Sequence, residues 1–402
     1  GENNAPAYAA NEKPDSSKTH YVQTTFAGTH IINGQSIETT QKGVLDFIIL
    51  HRFGTLNSGF YNAFGLDAAS MRIGFEYGIT NRLSAGIGRS TFEKQYDGFL
   101  KYRLLWQSEG KRNMPLSVTL VSSANIKTLR DDITDTIKRN ASDKYYYSFQ
   151  AIFARKFGQP FSLQLMPTLV HYNIVPTADV PNDLLALGAG ARVRITPSTC
   201  LTFEYYYQLP DYKLPGSYNP LSIGYEIETG GHVFQFNISN STGITERTAV
   251  TETKNPFNLD NLHLGFNISR VFSIKKPKDY SRLSNNNVHA APVYDTAQVA
   301  VAKEKEPIQY TQATFTTTRL INGHTVETTQ KGVLDLKVTH RFGKLNTGFY
   351  NVFGLDQASM RIGADYGITN RLTIGGGRSA GGLVNPSLKE YDGFIKYKII
   401  QQ

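Results

Sequence analysis

The residues of this sequence that could do chemistry are mainly charged side chains at every second position of otherwise apolar segments. In 221–228 (LSIGYEIE), for example, Glu226 and Glu228 alternate with Tyr225 and Ile227. Such alternation places the charges on one face of a β-strand and the apolar side chains on the other. The predicted charged face comprises Asp46, Arg52, Arg72, Glu76, Lys101, Arg103, Arg192, Arg194, Glu204, Glu226 and Glu228.

This charged face has two interpretations. Acids and bases on neighbouring strands could neutralise one another in salt bridges that fill and rigidify an interior, because buried charges are costly unless they are paired or hydrated. The same charges could instead line a water-filled pore and select the solutes that pass through it. Both interpretations can hold in one protein.

The sequence offers little for covalent or metal chemistry. The nine histidines show neither an HExxH motif nor a paired metal-ligand spacing, and Gly86-x-Gly88 is followed by no helix that would make it a phosphate loop. Cys200 is the single cysteine, which excludes a disulfide scaffold and a cysteine-rich zinc or haem-attachment site. We therefore expect no enzyme activity, no metal and no cofactor.

Twelve segments of the chain alternate with a period of two, and most are 9–13 residues long. Globular strands average about 5–6 residues, whereas transmembrane strands need about 9–11. The predicted strands are 43–53, 69–79, 82–90, 95–106, 115–126, 144–156, 160–172, 184–195, 199–209, 219–228, 231–241 and 261–273. We predict an all-β fold, an antiparallel transmembrane β-barrel of about twelve strands; a soluble sandwich or lipocalin-like barrel is the alternative.

Connection lengths and composition point the same way. Short connections such as 80–81 and 229–230 alternate with long ones such as 127–143 and 242–260, as in outer-membrane barrels. The longest apolar run, Leu184–Ala191, has eight residues, too few for a membrane-spanning helix. The net charge of +9 comes from scattered basic residues, so we expect no nucleic-acid partner.

The chain contains an internal repeat, because Tyr21–Ser90 recurs as Tyr310–Ser379. An insertion between Ser379 and Tyr391 predicts an exposed loop in the second copy. The predicted divisions are a polar periplasmic leader (1–20), a hairpin (21–42), the barrel (43–274), a polar linker (275–309) and a partial repeat of 21–107 (310–402), with strands at 332–342, 358–368, 371–379 and 391–400.

Four strands cannot close a barrel. The partial repeat could therefore be a truncated second barrel or part of a composite sequence. It could also add its strands to the first twelve, which would make a sixteen-stranded barrel. A third alternative is that its strands pair with another protein or another copy of the chain.

The predicted hairpin precedes the first spanning strand and is mostly polar. Asn33-Gly34 is a strong signal for a type I′ turn, and the repeat keeps the pair as Asn322-Gly323. We hypothesise that the hairpin, with Asn33 and Gly34 at its turn, folds against or into the periplasmic mouth of the barrel as a small plug.

The sequence resembles an outer-membrane β-barrel family of the Bacteroidota for which no activity is settled. The resemblance covers nearly all of the first unit and residues 310–400. It rests on Gly43–Phe53 (GVLDFIILHRF), Phe64–Gly78 (FGLDAASMRIGFEYG), Arg89–Tyr102, Phe161–His171 (FSLQLMPTLVH), Tyr218–Phe236 and Gly265–Lys278. It implies a barrel in the bacterial outer membrane and supplies no catalytic residues.

Together these observations predict a porin-like passive channel for small polar solutes. An even number of strands places both ends of the unit on the short-turn side, hence in the periplasm. The alternative is a non-conducting structural or scaffolding barrel in a cell-envelope complex. A water-filled path would favour the channel, and a lumen blocked by 21–40 and salt bridges would favour the scaffold. The expected partners are outer-membrane lipid, lipopolysaccharide and other envelope proteins.

Overall fold

The computed structural model describes residues 17–130, 140–275, 313–381 and 385–400. Most of the predicted leader and all but the first residue of the predicted linker lie outside these ranges. The chain divides into two compact units, Gly1–Ala291 and Pro292–Gln402. Within the described residues, no helix is long and apolar enough to cross a membrane.

Twelve antiparallel strands of the first unit form a closed barrel. Their ends differ from the predicted ends by at most two residues. The strands are β1 (Val44–Thr55), β2 (Ala69–Gly78), β3 (Leu83–Ser90), β4 (Gln95–Leu105), β5 (Ser117–Lys127), β6 (Tyr145–Lys156), β7 (Phe161–Tyr172), β8 (Asp183–Thr196), β9 (Thr199–Gln208), β10 (Leu221–Thr229), β11 (His232–Ser239) and β12 (His263–Ser273).

The barrel closes through the pairing of β1 with β12, in which Ile49 lies opposite Ile268. Every other strand pairs with its neighbours in the sequence. Closure leaves no free sheet edge, which matters because an unpaired backbone group in lipid costs several kcal/mol. Twelve strands therefore complete the barrel, and the sixteen-stranded alternative is wrong.

The two faces of each strand have different chemistry. In β9, Phe203, Tyr205 and Tyr207 are exposed on the outside, whereas Glu204 and Tyr206 are buried inside. Apolar side chains exposed on the outer wall include Phe75, Ile87, Leu100, Leu120, Phe149, Leu165, Leu187 and Phe236. An apolar outer band around a polar interior is the pattern of a barrel that lies in lipid.

The two ends of the barrel differ in their connections. One end, the short-turn end, carries tight turns such as 79–82 and 230–231, together with a small sheet in which Thr19–Tyr21 pairs with Ser108–Gly110. The other end, the long-loop end, carries the longer connections, among them 173–182 and 240–262. Both ends of the twelve-stranded unit lie at the short-turn end, because β1 begins there and β12 finishes there.

The second unit is a four-stranded antiparallel sheet with the strands in sequence order. Its strands are β13 (Leu334–Phe342), β14 (Ala358–Gly367), β15 (Leu372–Gly381) and β16 (Asn385–Tyr397). Residues 382–384 of the insertion before Tyr391, where an exposed loop is predicted, lie outside the described residues. Described residues on either side extend the ladder, since Ala380 pairs with Lys389.

Candidate functional site: the lumen of the barrel

The lumen contains the segment 22–40, which we call the plug hairpin. Its two arms pair as antiparallel chains at His30 and Gln35. Phe26, Ile32 and Ile37 are each at most 1% exposed, and they belong to a buried apolar cluster that includes Val121, Ile152 and Met166 of the wall. The structure thus places the predicted hairpin inside the barrel.

The turn of the plug hairpin is not of the predicted type I′. That turn requires a positive φ at both central residues, and neither Asn33 nor Gly34 has one. The amides of Ile32, Asn33 and Gly34 instead donate to the carboxylate of Glu204, at 3.0, 3.1 and 2.9 Å. A contact with the barrel wall therefore determines the shape of this turn.

Gly34 is required by close approach to the wall. A Cβ atom at this position would lie 2.1 Å from the hydroxyl oxygen of Tyr206, a fully buried side chain of β9. A side chain larger than hydrogen would therefore push the tip of the hairpin off Glu204.

Uncharged wall residues bind the rest of the hairpin backbone. Gln164 donates to the carbonyl of Gln35 and accepts from the amide of Ile37, both at 2.8 Å. Gln235 and Asn267 donate to the carbonyls of Ile31 (2.6 Å) and Ile32 (3.0 Å). The sequence prediction missed these three wall residues because it considered only charges; their inward positions in the alternation were the available signal.

Three predicted basic residues also hold the hairpin. Lys101 Nζ donates to the carbonyl of Thr29 at 3.0 Å. Arg103 donates to the carbonyl of Ile37 at 2.7 Å and forms a 3.1 Å salt bridge with Glu38. Arg52 donates to the side-chain oxygens of Asn33 and, at 2.7 Å, of Asn237.

Two predicted acids join the wall to the plug hairpin. Asp46 accepts from Ser269 at 2.7 Å and from Thr29 of the hairpin at 3.3 Å. Glu76 accepts from Ser84 at 2.6 Å and from the amide of Thr40 at 3.3 Å. Most of the predicted charged face therefore contacts the hairpin and does not line an open pore.

Among the remaining predicted residues, Arg72, Arg192, Glu226 and Glu228 form salt bridges within the wall. Arg192 pairs with Glu226 at 3.2 Å and with Glu228. Arg72 pairs with Asp97, an inward residue of β4 that the sequence prediction missed. Arg194 is half-buried at the short-turn end of β8, where its amide donates to the carbonyl of Pro160.

A second segment, residues 240–262, also enters the lumen, and we call it the lumen loop. It contains a short helix, α1 (Glu246–Thr251), whose six residues are all buried. Glu246 accepts from the side-chain amide of Gln35 at 2.7 Å, so the lumen loop meets the plug hairpin inside the barrel. Ile244 packs against Ile48 and Leu50 of the wall. The sequence prediction treated this segment only as a long connection.

Arg247 anchors the lumen loop near the long-loop end. Its guanidinium pairs with Glu93 and Glu252 and lies 4.0 Å from the ring centroid of Tyr146. Burial alone would raise the pKa of the Glu93 carboxyl. The positive charge of Arg247 and the hydrogen bond from Lys127 outweigh burial and lower that pKa below its ordinary value.

One small cavity lies beside the hairpin. A cavity of about 30 Å³ lies between Gly28–Ile31 and wall residues that include Leu50, Gln235 and Asn267. A single water needs about 10–15 Å³ of such volume, so this cavity has room for about two. Within the described residues, no group of three His, Cys, Asp or Glu side chains could hold a metal ion.

The second unit shows which strands bury the hairpin tip. Its hairpin keeps the contact with the fourth strand of the repeat, since Lys396 donates to the carbonyl of Thr318 at 2.9 Å as Lys101 does to Thr29. Ile321, the counterpart of Ile32, is 87% exposed, however. The burial of the first tip therefore comes from β5–β12, which the second unit lacks among its described strands.

Replacing Glu204 with Ala should release the hairpin tip while the barrel stays closed. Three buried amides lose a charged acceptor, and hydrogen bonds to charged groups contribute about 1.5–3 kcal/mol each. We expect faster hydrogen–deuterium exchange at residues 31–35, measured by mass spectrometry. The control is Glu228→Ala, a partly exposed acid at the short-turn end; equal exchange in both variants would contradict this assignment.

Acidification should loosen the lumen loop. Because the folded-state pKa of Glu93 is depressed, its contribution to stability is present at neutral pH and is lost as the pH falls below its ordinary value of 4.5. We expect exchange at residues 244–252, corrected for intrinsic rates, to rise below about pH 4. Glu93→Gln should show that faster exchange already at pH 7, and a wild-type profile in this variant would refute the role of Glu93.

The barrel is similar in fold to solved outer-membrane proteins. The NanC porin covers 58% of this chain and 100% of its own, with a TM-score of 0.37 and 11% identity. An outer membrane channel from Pseudomonas putida F1 covers 59% of this chain and 98% of its own, with a TM-score of 0.36 and 13% identity. Outer membrane phospholipase A from Escherichia coli covers 56% of this chain and 92% of its own, with a TM-score of 0.33 and 11% identity. At such scores these likenesses carry no argument about activity.

Comparison with curated proteins found no match. The family model described as "Membrane bound beta barrel domain" (DUF5777) matches residues 26–272 and 315–402. These two ranges comprise most of the chain, including the whole barrel and the four-stranded sheet, and the chain belongs to this family of membrane-bound β-barrels.

Proposed function

We propose that the protein is a structural barrel of the bacterial outer membrane that does not conduct solutes in the conformation described here. The observation that carries this proposal is the filled lumen, in which the plug hairpin and the lumen loop are buried and touch each other through Gln35 and Glu246. The long loops would face the outside, and both ends of the twelve-stranded unit would lie in the periplasm, as in other outer-membrane barrels. We propose no catalytic role.

A scaffolding role in an envelope complex agrees with this interior. Contacts such as those of Glu204, Lys101 and Gln164 with the hairpin backbone make the barrel rigid from wall to centre. A barrel braced in this way is suited to holding partners in the envelope. The open passive channel predicted from the sequence would need this interior to be displaced.

A second candidate is a channel for small polar solutes that opens when the plug hairpin leaves. One observation favours it: polar and charged groups of the wall, such as Lys101, Arg103 and Glu204, bind the backbone of the hairpin. Water could hydrate these groups once the hairpin had left. A core that never opens has no need of such charges, because apolar residues in their place are often as stabilising.

Planar-bilayer recordings test the structural proposal. We expect the wild-type protein to be silent, because the plug hairpin and the lumen loop are buried inside the barrel and touch each other there. Deletion of residues 22–40 removes that barrier and should increase conductance. Steady conductance of properly folded wild-type protein would overturn the proposal.

A pair of equivalent glycines separates the two candidates. Gly34→Val forces the hairpin tip away from Tyr206, whereas a Cβ atom at Gly323, the matching position of the second unit, meets nothing within 4 Å. A channel that opens by hairpin release should show rare wild-type openings that Gly34→Val makes frequent and Gly323→Val leaves unchanged. A structural barrel should show no wild-type openings at any voltage.

A further inference from the structure

Three arginines at the short-turn end of the barrel lie over aromatic rings. Stacking of this kind fixes the guanidinium and leaves its edge available for hydrogen bonding. The distances from the guanidinium carbon to the ring centroid are 4.5 Å for Arg82 over Trp106, 5.1 Å for Arg155 over Phe157 and 5.0 Å for Arg270 over Phe272.

These arginines are exposed at the outer edge of the barrel. Their rings are partly exposed too, since Phe157 is 49% and Phe272 40% accessible. Arg82 is fixed further by hydrogen bonds from one guanidinium nitrogen to the carbonyls of Arg103 and Leu104. Among the described acidic side chains, none forms a salt bridge with Arg82, Arg155 or Arg270.

The three pairs lie about three strands apart along one half of the rim. Arg82 precedes β3, Arg155 is near the end of β6, and Arg270 is near the end of β12. A protein partner of ordinary size would cover one sector of a twelve-stranded barrel. The three pairs are separate from one another and exposed at the outer edge of the wall, where lipid surrounds the barrel, so this arrangement fits individual lipid headgroups better.

The charge of the short-turn end is strongly one-sided. Its other exposed basic residues in the described part of the chain are Lys18, Lys42, Lys111, Arg112 and Lys275, against the exposed acid Glu109. The long-loop end, in contrast, exposes Asp179, Asp183, Asp211 and Asp260 beside Arg130, Lys213 and Lys254. Anionic groups are therefore attracted to the short-turn end.

We propose that Arg82, Arg155 and Arg270 with their aromatic rings form a basic collar that binds the headgroup phosphates of anionic phospholipids. Guanidinium groups donate two parallel hydrogen bonds to a phosphate, and aromatic rings favour the level of the headgroups. The collar would fix the depth of the barrel and place its short-turn end in the phospholipid leaflet. The proposal rests on the barrel spanning the membrane and is independent of whether the lumen conducts.

Native mass spectrometry of the full chain in detergent, titrated with phosphatidylglycerol, tests the collar. Each basic residue near an anionic membrane surface contributes about fivefold to affinity, so Arg82→Gln, Arg155→Gln and Arg270→Gln should each weaken binding about fivefold. The triple variant should weaken it on the order of 100-fold. Binding of phosphatidylethanolamine, with no net charge, should change much less.

The matched control removes three positive charges from the long-loop end: Arg89→Gln, Lys213→Gln and Lys254→Gln. Arg89 itself stacks on Tyr96 at 4.6 Å, so the control also loses a stacked arginine. Its phosphatidylglycerol affinity should stay within about twofold of wild type, less than one fivefold step. An equal loss in both triple variants would show a general charge effect and overturn the proposal.

Lipopolysaccharide provides the remaining arm of the experiment. Purified lipopolysaccharide also carries phosphates. If the collar substitutions weakened lipopolysaccharide binding more than phosphatidylglycerol binding, the short-turn end would lie in the opposite leaflet. That result would overturn the proposal and the orientation together. Neither outcome of the lipid-binding experiment changes the conductance recordings. Failure of the lipid-binding proposal is therefore distinguishable from failure of the proposed function.

Discussion

The arrangement of the lumen depends on one constraint: backbone groups enclosed in a membrane barrel have little water to bond with, so the wall must supply their partners. Glu204 accepts hydrogen bonds from three consecutive amides of the plug hairpin. Gln164 accepts from one amide of the second arm and donates to one of its carbonyls. These contacts explain why the wall carries charged and amide side chains at inward positions such as Lys101, Gln164 and Glu204. They also explain the glycine at position 34, since the chain can reach Glu204 only by passing close to Tyr206.

Strands and faces could be predicted from the sequence because a barrel in lipid imposes a period of two over its whole length. Features decided by distant contacts could not. The turn at Asn33-Gly34 departs from type I′ because its partner Glu204 lies 170 residues further along the chain. Helix α1 has only six residues, too few to be stable alone, and the lumen stabilises it. Most of the predicted charged side chains are buried inside the barrel. Their hydrogen-bond partners, such as Asn237 for Arg52, could not be predicted from the spacing of residues in the sequence.

The partial repeat acts as a comparison within the same chain. It retains the strands that correspond to β1–β4 and the hairpin contact made by Lys396. It lacks, among its described residues, counterparts of the strands that carry Glu204 and Gln164, and Ile321 is consequently exposed. A hairpin of related sequence is therefore enclosed only where twelve strands surround it. The filled interior is a property of the complete barrel, and it favours the structural proposal over an open pore.

The central claim is that the plug hairpin occupies the lumen of the native protein, and cysteine cross-linking in the native membrane tests it most directly. Asn33 donates to Ser222 of the wall at 3.0 Å, so Asn33→Cys with Ser222→Cys, in a Cys200→Ser background, should cross-link within one chain on mild oxidation. Each single-cysteine variant should give no such product. Folded protein whose two cysteines stay reduced and react freely with a thiol reagent would contradict the account, because the hairpin would then lie outside the barrel.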